Sequence, residues 1–232
     1  MKIGIIAAMS KEREQVAQML TEKKESTHGG FSFIEGAIGT NEIVLMESGI
    51  GKVNAAVGTV AMINAYAPDC IINTGVAGGA DKSLHVMDVV VGSRTAYHDV
   101  WCGEGNEIGQ VQGLPAFYEG NRDLYSIATQ LRTDVSIVGG LICTGDQFIQ
   151  APEKIAQIKS DFPEAYAVDM ESAAMAQVCH IYNVPFISFR ILSDIAGVEN
   201  HTEMYNNFWG TIAEKSFAVT EAFLKALPEK LG

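Results

Sequence analysis

Residues 70–79 read CIINTGVAGG, the run that says most about the architecture. Positions 70–74 form a nearly unbroken apolar run, the pattern of a strand covered on both faces, as parallel strands in α/β proteins are. The small residues that follow, TGVAGG, predict a tight turn whose backbone N–H and C=O groups can approach a flat ligand. Runs 86–91, 137–143 and 186–192 look similar, and short β-rich runs also occupy 2–8, 31–36, 42–47 and 165–168. Segments of helical period fall between them at 11–21, 53–66, 171–181 and 204–227. This alternation is that of an α/β protein with one mixed sheet flanked by helices. No Pro/Ser linker, charge block or internal repeat divides residues 1–232, so a single domain is expected.

A formal net charge of -12 argues against nucleic acid as a partner, because neutralising phosphates needs clustered Lys and Arg. The apolar run at the amino terminus is too short for a signal peptide's core. No stretch approaches the roughly 20 apolar residues of a membrane span. The cytoplasm is therefore the expected compartment. Cys70, Cys102, Cys143 and Cys179 form no CxxC pair, and Cys70, Cys143 and Cys179 read as buried small hydrophobes. No cluster has metal-ligand spacing, and His98 in YHD reads as a structural histidine, so no metal or other cofactor is expected.

The stretch from Tyr97 to Tyr118 has no clear period and is rich in glycine. Its apolar members, among them Trp101, Ile108 and Phe117, predict a folded loop that covers a site or a neighbouring subunit.

In open α/β sheets ligands bind beyond the carboxyl ends of the strands, so polar residues there are the first candidates. Glu12 follows the first strand at the opening turn of a helix. The helix macrodipole alone would favour an acid there, and Glu14 serves that purpose equally well. Phe148 in CTGDQF lies just past a strand end, where its face can stack on a base for about 1 to 3 kcal/mol. In VDMES, Asp169 and Glu171 flank Met170 where a strand gives way to an Ala-rich helix, and a carboxylate there suits the adjacent hydroxyls of a ribose. FRILSDIAG ends an apolar strand with Ser193 and Asp194. Arg190, inside that strand, needs a carboxylate partner, and Glu171 can supply it. SGIGK at 48–52 and NTGVAGG at 73–79 lack the spacing of a P-loop or a dinucleotide fingerprint.

KIGIIAAMSKE, SGIGKVNAA, NTGVAGG, YHD, CTGDQF, AVDMES and FRILSDIAG occur here in an order and spacing that resemble 5'-methylthioadenosine/S-adenosylhomocysteine nucleosidases, over essentially the whole chain. The resemblance implies a nucleoside phosphorylase-like α/β fold with a central mixed, barrel-like sheet and a homodimer that completes each active site. It further implies hydrolysis of the N-ribosidic bond of 5'-methylthioadenosine and S-adenosylhomocysteine. Glu12 would then assist the attacking water and Asp194 would donate a proton to N7 of adenine. The opposed base and acid roles parallel those of glycoside hydrolysis. Glu171 would hold the ribose hydroxyls, Met170 would pack on the sugar and Arg190 would orient Glu171. Phe148 would stack on adenine, the backbone of Ile149 would read its edge, and Ser193 would steady Asp194. Ile50, Val76, Ala77, Gly78 and Tyr205 would complete the substrate site.

The chain departs from the pattern in four places. Ser10 and Lys11 replace a more acidic run, Val76 stands where Ser is common, and Asp169 replaces a usual Glu. The loop DVWCGEGNEIGQVQGLPAF at 99–117 is shorter than its commonest form, which bears on the preferred 5'-substituent, 5'-deoxyadenosine and aminofutalosine included. A phosphate-dependent phosphorylase is the nearest alternative, but it needs a cationic pocket after the first strand, and in AAMSKER an acid separates Lys11 from Arg13. A nucleoside-binding protein without turnover is the alternative from another class.

Overall fold

The computed structural model describes the backbone of residues 1–232 and every side chain except those of residues 211–216. In chain order the elements are β1 (Lys2–Ala7), α1 (Ser10–Met19), β2 (Thr21–His28), β3 (Phe31–Ile38), β4 (Asn41–Glu47), α2 (Lys52–Tyr66), β5 (Cys70–Gly79) and β6 (Val89–Tyr97). They continue with β7 (Tyr118–Glu119), α3 (Arg122–Thr129), β8 (Ile137–Thr144), α4 (Pro152–Asp161), β9 (Ala165–Asp169), α5 (Ser172–Tyr182) and β10 (Phe186–Ile195). A short helix α6 (His201–Asn207) passes through a π-helical turn (Phe208–Ile212) into α7 (Ala213–Ala226), so the helix expected over 204–227 is interrupted near its start.

The sheet is mixed and closes on itself. β5 pairs in parallel with β10 and antiparallel with β9, while β10, β6, β8 and β9 are joined in that order. These strands form a barrel without free edges, and the rest of the sheet extends from β5 through β1, β4, β3 and β2. Closure explains why TGVAGG is strand and not turn. Its last two glycines lie where β5 is flanked by both β10 and β9, Gly78 opposite Val168 and Gly79 opposite Ala167.

Both faces of the central strands are covered, which is why they read as continuous apolar runs. Ile3, Ile5 and Ile72 pack with Phe189, Phe217 and Phe223 on one side, while Ile6, Ile71 and Met62 pack with Ala173 and Met175 on the other. Ala77, Val90, Ile142, Ala167 and Leu192 form a separate cluster from the strands of the barrel. Cys70, Cys143 and Cys179 are buried and free. Among the described residues no helix is long and apolar enough to cross a membrane.

Candidate active site

Glu12 lies in the first turn of α1 and is almost fully buried. One carboxylate oxygen accepts the backbone N–H groups of Ala8 and Met9, both at 3.0 Å. The other accepts the N–H of Val76 on β5 at 2.8 Å. Glu12 thus caps its own helix and is tied to the central strand. Burial raises its pKa above the ordinary glutamate value, opposed by the Arg190 charge and the three N–H donors.

Gly75 makes this approach possible. Its φ is +153°, and a Cβ there would lie 2.3 Å from Glu12 Oε1 and 2.9 Å from Arg190 Nη1. Only a residue without a side chain fits. Sequence reading singled out the run but not this position.

Asp194 follows a β-bulge. Leu192 registers with Ala77 and Asp194 with the next residue, Gly78, so Ser193 is the extra residue on β10. A bulge re-aims the side chains beyond it. Asp194 is buried, and the Ser193 hydroxyl donates to its Oδ1 at 2.7 Å. Burial raises the Asp194 pKa, while the Ser193 bond and the nearby His201 pull it down.

Arg190 is completely buried on β10. Its Nη2 lies 2.7 Å from Asp169 Oδ2 and 3.3 Å from Glu171 Oε2, and it donates to Asn73 Oδ1 at 2.7 Å. The sequence pointed to Glu171 as its partner, but the shorter contact is with Asp169. Asp169 is further held by the Thr144 hydroxyl at 2.5 Å and by the Ser172 hydroxyl and amide. Glu171 is bound more sparingly, its Oε1 accepting the Gly51 N–H at 2.9 Å. Burial pushes its pKa up to about 7 against the pull of Arg190.

These groups converge on a cavity of about 650 Å³, including its solvent-open mouth. Glu12, Glu171, Ser193 and Asp194 line it, with Ile50, Val76, Ala77, Gly78, Phe148, Ile149, Met170 and Tyr205. Arg190 stands behind this wall and reaches it through Asp169 and Glu171. Met9, Gln147, Val168 and Ala196 also line the cavity and were not picked out from the sequence. Phe148 is 50% exposed, and its ring packs against Tyr205 at 5.8 Å and His201 at 5.9 Å between centroids.

Lys11 and Arg13 do not line the cavity, and Lys11 Nζ sits 5.4 Å from the centroid of the Trp209 ring. Nor does His98, whose pKa is lowered by burial. Residues 99–117, expected to cover a site or a neighbouring subunit, contribute nothing to the cavity within this chain, and Trp101 and Ile108 are exposed.

A family model described as phosphorylase superfamily matches residues 2–225. The 5'-methylthioadenosine/S-adenosylhomocysteine nucleosidase of Pseudoalteromonas translucida is 41% identical over 231 residues, 98% of each chain. The chain belongs to this nucleosidase family of the phosphorylase superfamily. Among solved nucleosidase structures, that of Colwellia psychrerythraea 34H in complex with adenine matches with a TM-score of 0.93 at 39% identity, covering 100% of this chain and 97% of that one. The Neisseria meningitidis nucleosidase in complex with methylthio-immucillin-A matches with a TM-score of 0.91 at 39% identity, covering 97% and 99%.

Proposed function

We propose that this protein hydrolyses the N-ribosidic bond of 5'-methylthioadenosine and S-adenosylhomocysteine, releasing adenine and the 5'-thio-substituted ribose, with residues 1–232 acting as one nucleosidase domain. The observation that carries this reading is the pair of buried carboxyl groups, Glu12 and Asp194, lining one cavity and both with raised proton affinity. Breaking the bond between ribose C1' and the adenine nitrogen leaves negative charge on the base and positive charge on the sugar. Asp194 in its acid form transfers its proton to N7 as the bond breaks. Glu12 as carboxylate takes a proton from water as the water oxygen bonds to C1'.

The remaining groups bind and orient. Glu171 accepts hydrogen bonds from the ribose hydroxyls, and Arg190 holds it through the shared contact with Asp169. Phe148 supplies an apolar face for adenine, the Ile149 backbone meets the base edge, and Met170 packs on the sugar. Ile50, Val76, Ala77, Gly78 and Tyr205 shape the remaining wall.

Hydrolysis is favoured over phosphorolysis because no Lys or Arg is among the described cavity-lining residues, and Arg190 behind the wall is already paired with Asp169 and Glu171. A homodimer is part of the proposal. Ile50, which lines the cavity, is 50% exposed beside Val53 and Val57 of α2, at 73% and 53%, an apolar face suited to a second copy. The cytoplasm is the proposed compartment, in keeping with free buried cysteines.

The test is product analysis with a panel of 5'-substituted adenosines, each assayed with and without phosphate. Free adenine at equal rates in both buffers is expected. A requirement for phosphate would make the protein a phosphorylase, and binding without product would make it a nucleoside-binding protein.

A further inference from the structure

The motifs SGIGK, YHD and CTGDQF contribute Lys52, Asp99 and Asp146, none of which lines the cavity. The Lys52 ammonium donates to both Asp99 carboxylate oxygens at 2.8 Å. Asp99 Oδ2 accepts the Asp146 N–H at 2.9 Å, and Asp146 Oδ1 accepts the Lys52 N–H at 2.8 Å. The three residues therefore close a ring that ties the start of α2, the segment after β6 and the turn after β8 to one another. The Lys52 ammonium also lies 5.4 Å from the centroid of the Tyr97 ring.

Two sides of the ring, those of Lys52 and Asp146, continue directly into the cavity wall. Gly51, next to Lys52, donates its N–H to Glu171, and Ile50 lines the cavity. Gln147 and Phe148, next to Asp146, line it too. Gly49 and Gly51 have φ of +86° and +94°, so the intervening segment has little conformational preference of its own to hold it. A Cβ on Gly51 would sit 3.0 Å from Asp146 Oδ1, so the carboxylate rests closely on that backbone. The Lys52 and Asp99 side chains remain 23% and 18% exposed. Ion pairs that solvent reaches contribute little to global stability, so the effect of this one is local geometry.

We propose that Lys52, Asp99 and Asp146 are positioning residues. Their ring holds the Gly51 N–H on Glu171, and so sets the ribose anchor, while fixing the turn that carries Phe148. This inference rests on the nucleosidase reading above.

Steady-state kinetics of adenine release from 5'-methylthioadenosine and from its 3'-deoxy analogue test it. Lys52→Met and Asp99→Asn are each expected to raise KM for 5'-methylthioadenosine about tenfold with a smaller loss of kcat. The double variant should cost no more than the worse single one, because both break the same ring. The penalty should shrink for the 3'-deoxy analogue, which offers Glu171 one hydroxyl fewer. Lys52→Arg, which keeps a donor toward Asp99, should return KM toward the wild-type value. Lys52→Gln is read in the same way should Lys52→Met not fold. Unchanged KM in the folded variants, or equal penalties on both nucleosides, would overturn the proposal. Wild-type protein that releases no adenine would overturn the nucleosidase reading and the ring's role with it, whereas wild-type turnover with unaffected variants would overturn the ring's role alone.

Discussion

The Val76 amide donates to Glu12 across 64 residues of sequence and so indexes a side chain of the first helix to the central strand. Two residues further along that strand, Gly78 registers with Asp194 on β10. Strand geometry separates those two positions by about 7 Å. The proposed base and acid, both lining the cavity, are thus set against one rigid element, an arrangement that loops alone would hold less firmly.

Glu12→Gln should bind 5'-methylthioadenosine with little change in affinity and lose turnover by about 10² to 10⁴, the usual cost of removing a positioned base. Steady-state kinetics beside a binding isotherm check this. Near-normal kcat would remove Glu12 from the mechanism.

The Ser193 hydroxyl bond to Asp194 favours the ionised carboxylate and lowers its pKa. An acid that works in its protonated form loses activity as pH rises through its pKa. Ser193→Ala should therefore move the high-pH limb of the kcat/KM profile upward. A limb that stays in place or moves down would contradict the assignment of Asp194 as the acid.

Gly75→Ala would press a methyl group on Glu12 and Arg190. Overpacking of this kind costs about 1 to 3 kcal/mol. Thermal unfolding should show a lower Tm, and kcat should fall at least about tenfold as Glu12 is displaced. A fully active variant would show that Glu12 has freedom the close contact denies it.

Glu171 gives the ligand-free protein a pH-dependent stability. Its pKa is raised by burial from 4.5 to about 7, so the folded state prefers it protonated. The associated stability is fully present below pH 4.5 and is lost as pH rises through about 7. Between pH 5 and 8 the wild-type Tm should therefore drop relative to that of Glu171→Gln, which has no proton to lose. Parallel Tm curves for the two proteins would refute the shift.

The strands at 70–74 and 186–192 were legible because burial on both faces leaves an apolar run that no surface position interrupts. β2 was not, since Thr21–His28 is almost wholly exposed, carries no alternation and is held by backbone pairing with β3. α3 and α4 went unread despite local signals, the Asn121 side chain capping α3 and Pro152 opening α4. Barrel closure came only from the family resemblance, because it depends on β5 meeting β9 and β10, pairings that no local pattern encodes. For the same reason the small residues of TGVAGG signal a turn where the fold has strand. At the site, the polar residues at strand ends supplied Glu12, Glu171, Ser193 and Asp194 of the wall, whereas Ile50, Ile149 and Tyr205 followed only from the family resemblance. Spacing could not decide whether Asp169 or Glu171 lies nearer Arg190, since both flank Met170. Gly75 carries no chemistry of its own, and its importance comes from the side chains that the fold brings against it.

Asp194→Asn keeps the shape and the Ser193 contact while removing the transferable proton. The rate of adenine release from 5'-methylthioadenosine in phosphate-free buffer, measured with substrate binding verified, is the most direct check on the two-carboxyl mechanism. A loss of about 10² to 10⁴ in that rate with binding retained is expected. Release at close to the wild-type rate would mean that Asp194 does not protonate the departing base, and the mechanism would be wrong.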